Sequence, residues 1–218
     1  MRKADHSELA AQAAIYIAEG ETDWSAARRR LAEEKRISSG SLLPSDEEIE
    51  SALREHFAIF DAKGHAERLL ELRKIALRVM MELSEYSPKL IRGVLNGCAD
   101  RYSDIFLTVE TDDAKSLEID LMDRGIDLEV LPNESNLKGE PVEEIVFEAP
   151  LPKNSFFAQN DITVWVRVRV FEGRALIKNK ARRTPDPWQI EEETARSADI
   201  QLLQKIIRLT DPHFQNFV

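Results

Sequence analysis

The hydrophobic period of this chain changes once, near residue 88, and that change limits its possible folds more than any other feature. Before it, apolar residues recur at three- and four-residue steps. Leu69, Leu72, Ile75, Ala76, Val79, Met80 and Leu83 form the longest such series, the spacing that places side chains on one face of a helix. After it, the chain alternates. In "ITVWVRVRVF", Val164, Val166, Val168 and Val170 fall on one side and Trp165, Arg167, Arg169 and Phe171 on the other, because successive side chains of a strand point to opposite faces of a sheet. A chain that is helical first and strand-rich afterwards reads as α+β.

The helical part begins with an alanine-rich segment from about Ser7 to Ala18, closed by Gly20. A second segment from Trp24 to Lys35 sets Trp24, Ala27 and Leu31 on one face. "ISSGSLLPSDEE" is a loop by composition. Ser45 and Glu48 then have capping-box spacing, each side chain able to satisfy a backbone N–H at a helix start, and Ile49, Leu53, Phe57 and Phe60 continue that helix. The Leu69–Leu83 helix ends before Pro88, whose ring disfavours helical backbone at Ser87. Beyond it, "KLIRGVL", "SDIFLTVE", "IDLEVL", "EEIVFEA" and the alternating segment read as strands, and "DDAKSLEIDLMDRG" as a helix ending at Gly125. The strand–helix–strand step from Ser103 to Val130 favours at least one parallel pair. Asp186 reads as an N-cap with Pro187 at the first helical position, leading into a final helix striped by Ile190, Leu202, Leu203, Ile206 and Ile207. The expected organisation is an N-terminal helical region, 1–65, followed by an α+β domain, 66–218, with a mixed sheet, packed helices and a C-terminal helix.

Composition narrows the functional classes. Forty acidic residues against 30 Lys and Arg give a net charge of −10, which disfavours bulk nucleic-acid binding because that needs many phosphate-neutralising cations. Cys98 is the single cysteine, so an intrachain disulfide and a multi-cysteine zinc site are both excluded. No apolar run approaches the roughly 18–20 residues of a membrane span. The first twenty residues carry Asp5, His6 and Glu8 beside a short apolar stretch, a poor signal peptide. The expectation is a cytoplasmic protein with no membrane partner. His6, His56, His65 and His213 are scattered without metal-ligand spacing, and the serine-hydrolase, Walker and dinucleotide fingerprints are absent.

The stretch richest in chemistry is "GVLNGCADRYSDIFL", Gly93–Leu107. It reads as a glycine-bearing loop, a Ser-Asp pair and a strand. Asp104 and Phe106 share one face of that strand; Ile105, Leu107 and Val109 share the other. The plainer reading is a polar turn between two strands, tied by a Ser103 or Asp104 hydrogen bond. The sharper reading comes from the order of residues: a hydrophobic strand, Gly93, Gly97, and Ser103-Asp104 opening the next strand. In this order the segment from Leu90 to Val109 resembles the DNA polymerase beta-type nucleotidyltransferase superfamily. Its members have a Gly-Ser or Gly-Gly turn, a further Gly, and Ser-Asp-x-Asp. Without gaps, Gly97, Ser103 and Asp104 match, and Gly93 takes the Ser/Gly place of the turn. Arg92 stands where the first Gly belongs, although a one-residue slip would let Gly93 fill it. Phe106 stands where the second carboxylate belongs. The "SDI-aromatic-L" form also resembles a group of small proteobacterial proteins, which adds no activity.

The resemblance implies two-metal phosphoryl transfer, with carboxylates converging on a pair of Mg²⁺ ions. Phe106 offers no oxygen ligand. Glu110 shares its face but lies roughly 20 Å from Asp104 at strand rise. A replacement would have to be Glu129, Glu144 or Glu148, from neighbouring strands. Three functions stay open. The first is a nucleotidyltransferase-like module with a substituted metal site that binds a nucleotide, a phosphorylated ligand or a protein without catalysis. The second is an active transferase in which Asp104 is the catalytic metal ligand, with Mg²⁺ as cofactor only in that case. The third is an assembly protein that docks a partner through its N-terminal helices. The candidate ligand-binding residues are Arg92, Gly93, Gly97, Ser103, Asp104, Arg167 and Arg169. A basic run of Arg167, Arg169, Arg174, Lys178, Lys180, Arg182 and Arg183 is either an anion surface with Trp165 and Phe171 for stacking or a solvated sheet face and loop.

Overall fold

A computed structural model of the protein describes residues 6–21, 24–38, 40–133, 140–172, 197–211 and 214. The fold is α+β. Helices α1 (His6–Ala18), α2 (Trp24–Lys35), α3 (Asp46–Phe60) and α4 (Ala62–Glu82) come first. Then follow β1 (Lys89–Ile91), α5 (Gly93–Asn96), β2 (Ile105–Thr111), α6 (Ala114–Asp123), β3 (Leu128–Pro132), β4 (Glu143–Glu148), α7 (Phe156–Gln159), β5 (Trp165–Glu172) and α8 (Ile200–Thr210). The chain divides into two compact units, Met1–Glu67 and Arg68–Val218. No helix among the described residues is long and apolar enough to cross a membrane.

In the first unit, the Glu48 N–H donates to Ser45 Oγ while the Ser45 N–H donates to Glu48 Oε2 at 2.7 Å, a complete capping box that starts α3. Ile49, Leu53 and Phe57 are buried, as are Leu9, Ala13 and Ala14 of α1 and Ala27 and Leu31 of α2. Phe57 also stacks on His65, with ring centroids 4.2 Å apart. Phe60 does not continue the buried stripe: it is 73% exposed. It is the last residue of α3, ahead of the Asp61 cap, and its ring lies against His56, 4.7 Å away on the preceding turn of the same helix.

The second unit is built on one five-stranded mixed sheet in the order β1-β2-β5-β4-β3. β2 and β5 run parallel; every other neighbouring pair is antiparallel. Ile105, Leu107 and Val109 of β2 and Val166, Val168 and Val170 of β5 are all fully buried. They share one core with Leu72, Ile75 and Val79 of α4, Leu83 just beyond its end, Leu117 and Leu121 of α6, and Leu203, Ile206 and Ile207 of α8. The helical period of α4 and the strand period of β5 thus supply complementary apolar faces.

Two expectations need correction. "KLIRGVL" is a strand only from Lys89 to Ile91. Val94 and Leu95 are both buried, which adjacent residues of a one-face-buried strand cannot both be; a short helix accommodates them. The expected parallel pair is present, but it joins β2 to β5 and not to β3, the strand after α6, because β5 and β4 lie between β2 and β3. β5, with its buried valines, takes the place beside β2, whereas β3 has no buried residue and forms the sheet edge. The final helix begins at Ile200, capped by Asp199, whose carboxylate accepts the Leu202 N–H at 2.8 Å. Asp186, Pro187, Ile190 and the cations Arg174, Lys178, Lys180, Arg182 and Arg183 lie outside the described residues.

Candidate functional site

The turn that carries the glycines is organised from inside. The N–H groups of Leu95 and Asn96 donate to the Arg92 carbonyl, and those of Gly97, Cys98 and Ala99 to the Gly93 carbonyl. These five donors are used within the turn. Gly97 closes α5 at φ +82°, a left-handed conformation that glycine adopts without steric cost. Gly93 is not required in the same way. A Cβ there would meet Ala99 at 3.5 Å, ordinary contact. Beneath the turn, buried Arg73 donates from Nε to the Val94 carbonyl at 3.1 Å and from Nη2 to the Leu95 carbonyl at 3.0 Å, satisfying carbonyls at the end of a short helix.

Ser103 ties the loop before β2. Its Oγ accepts the Asp100 N–H at 3.0 Å, and its own N–H donates to the Asp100 carbonyl at 2.9 Å. The Asp100 carboxylate in turn accepts from Arg68 Nε at 2.5 Å. This is the turn hydrogen bond of the plainer reading, and it delivers Asp104 to the start of β2.

On the sheet face opposite the apolar core, register brings the remaining residues together. Phe106 aligns with Arg167, Thr108 with Arg169, and Glu144 of β4 with Arg169. Arg167 spans two carboxylates: its Nε donates to Asp104 Oδ2 at 2.6 Å and its Nη1 to Glu144 Oε1 at 2.9 Å. Arg169 Nε donates to the other Glu144 oxygen at 3.3 Å. Arg92 lays its guanidinium over the Phe106 ring, 4.4 Å from the centroid, a cation–π contact. Burial opposes the Arg167 charge, but the hydrogen bonds and charges of Asp104 and Glu144 outweigh it and hold the guanidinium above its ordinary range. Among the three glutamates expected from neighbouring strands, Glu144 shares this cation with Asp104. Glu129 and Glu148 are exposed, and Glu110 pairs with Lys89 at 3.8 Å.

The donor set does not fit a Mg²⁺ pair. Mg²⁺ demands oxygen ligands in near-octahedral geometry. Here Asp104 and Glu144 already hold a guanidinium between them, and Phe106 supplies no oxygen. No group of three or more His, Cys, Asp or Glu side chains able to hold a metal occurs among the described residues.

The pairing of Arg167 with Asp104 was the feature hidden from sequence. One signal was available: along β5, Val166, Val168 and Val170 stand on one face and Arg167 and Arg169 on the other. Such a strand sits mid-sheet, where half-buried arginines require carboxylate partners.

Arg92 has φ +63° and ψ −150°, a region populated almost only by glycine and costing about 1–3 kcal/mol for other residues. Arg92→Gly is therefore expected to be more stable than Arg92→Ala by about 1 kcal/mol, the reverse of the usual helix order. Urea titration of both variants measures this; alanine equal to or better than glycine would show ordinary backbone at this position.

No protein-family model, no curated protein and no solved structure matches this chain.

Proposed function

We propose that the second unit is a nucleotidyltransferase-like domain in which Arg167 replaces the metal, and that it acts as a non-catalytic binding module for a nucleotide or another phosphorylated ligand. The observation that carries this reading is the single guanidinium shared by Asp104 and Glu144. A fixed cation between two carboxylates organises the site without Mg²⁺. Arginine's planar fork also suits phosphate oxygens, which it meets with paired N–H donors. Two features support the family resemblance itself. β1 and β2 are neighbouring antiparallel strands around the motif. Arg92, where the family's first Gly belongs, has a glycine-like backbone, which favours the alignment without a slip. Trp165, 41% exposed at the start of β5, offers a flat face on which a base could stack.

Calorimetry with ATP, CTP, GTP and UTP, with and without Mg²⁺, tests the reading. The expected result is nucleotide affinity that Mg²⁺ does not improve. A second reading, an active nucleotidyltransferase, draws on Glu144: displacement of Arg167 would leave it and Asp104 as two oxygen-bearing groups on one face. A large Mg²⁺-dependent gain in affinity, abolished by Asp104→Ala, would install that reading in place of the first. No binding under either condition would end both nucleotide readings and leave a protein partner, engaged through the N-terminal helices, as the function to test.

A further inference from the structure

A separate group of charges lies where α6 meets the ends of β4 and β5. Glu143 opens β4 and is 7% exposed; by alternation it points to the same face as Ile145 and Phe147, which line the core. Glu118 on α6 is 8% exposed and shares one cation, Lys115, with Glu143. Lys115, one turn earlier on α6, ion-pairs with Glu118, and its Nζ lies 3.9 Å from Glu143 Oε2. Glu172 closes β5 and accepts the Ala114 N–H at 3.4 Å. Asp113, the N-cap of α6, faces Lys115. Glu143 Oε1 is buried with no hydrogen-bond partner among the described residues.

Two buried carboxylates on one ammonium leave a net negative charge largely away from water, which like-charge repulsion and burial both disfavour. One proton resolves the conflict: a neutral carboxyl donates to its charged neighbour. Lys115 Nζ lies closer to Glu118 than to Glu143, so the proton belongs on Glu143. We propose that Glu118 and Glu143 form a proton-holding carboxyl pair that clamps α6 to the start of β4 and loosens when the proton leaves. This proposal is independent of the nucleotide reading, since Glu143 and Glu144 point to opposite faces of the sheet.

The direction of the pH effect follows. Burial first, then the hydrogen bond and charge of Glu118, with a smaller push from Glu172, raise the Glu143 carboxyl above its ordinary range; Lys115 opposes them. The folded state therefore holds this proton more tightly than the unfolded chain. The clamp's contribution is complete below the ordinary glutamate range and is lost as pH rises through the raised native value.

Carbon-detected NMR titration of the side-chain carboxyls reads the pair directly. In the unmodified protein, one glutamate signal is expected to titrate above the ordinary range. It should vanish in Glu143→Gln and move further up in Lys115→Met, which removes the opposing cation. Urea unfolding supplies the second readout. The folding constant of Glu143→Gln relative to the unmodified protein is expected to rise steadily as pH increases from the ordinary glutamate range to neutral and above, because the unmodified protein loses the contribution of its retained proton. A Glu143 signal in the ordinary range, or a ratio that does not change with pH, would overturn the proposal. If Glu143→Gln does not fold, the carboxyl titration of the unmodified protein, with the signal assigned by the Lys115→Met shift, decides alone.

Discussion

Leu72→Ala is expected to lower stability by about 2–5 kcal/mol. Leu72 is fully buried on α4, in one core with Ile75 and Val79 of the same helix and with Leu107 of β2 and Val168 of β5. Truncation to alanine removes apolar surface that burial keeps from water and leaves a cavity that a close-packed interior closes only in part. The cost should fall at the upper end of that range if the β2–β5 sheet resists relaxation. Ile119→Ala is the companion measurement. Ile119 lies on the outer face of α6 and is 58% exposed, so its truncation should change stability by no more than about 0.5 kcal/mol. Denaturant titration of the two variants compares a core face with a solvent face. A Leu72→Ala loss as small as that of Ile119→Ala would mean that α4 does not pack on the sheet.

Removal of the bridging cation should have the next largest effect, and it should depend on pH. Arg167→Met keeps much of the side-chain length but deletes the guanidinium that Asp104 and Glu144 share. The groups concerned are still about one-fifth to one-third exposed, so water softens the loss to about 1–2 kcal/mol at neutral pH. In the variant, two carboxylates lose the cation they share, and Arg169 keeps its bond to Glu144. Such a pair takes up a proton more readily than the unfolded chain does. The variant's deficit should therefore shrink as pH falls through the carboxylate range, the sign set by stronger proton binding in the folded state. The freed oxygens also gain access to divalent cations. Added Mg²⁺ should raise the thermal midpoint of Arg167→Met and leave that of the unmodified protein unchanged. Arg167→Lys should restore part of the stability, because an ammonium keeps the charge but cannot span both partners with a planar fork. A deficit in Arg167→Met that does not vary with pH would assign Arg167 a packing role only.

The limits of the sequence are clearest where two residues far apart must meet. Glu144 could be named as one of three glutamates able to approach Asp104, yet nothing along the chain distinguished it from Glu129 or Glu148. The choice depends on β5 lying between β2 and β4 with Arg167 aligned to Phe106 and Val146. Arg167 itself, read along the chain, belonged to a basic run with a solvated-face interpretation; in the sheet it is the centre of an ion-pair network. The buried contact of Glu118 with Glu143 was similarly invisible, since a helix residue and a strand residue 25 positions later carry no shared local pattern.

What the sequence by itself determined is whatever a local period or a single backbone constraint can encode. The α4 stripe, the Ser45–Glu48 capping box, the alternating β5 and the break at Pro88 all follow from geometry within a few residues. So does the α+β order of helices and strands. Tertiary structure alone decided strand order, the register that places Arg167 between Asp104 and Glu144, and the glycine-like backbone at Arg92. Those features depend on which apolar faces pack together. That competition is settled by the burial of β5's three valines beside β2, and side-chain pairing across strands follows from it.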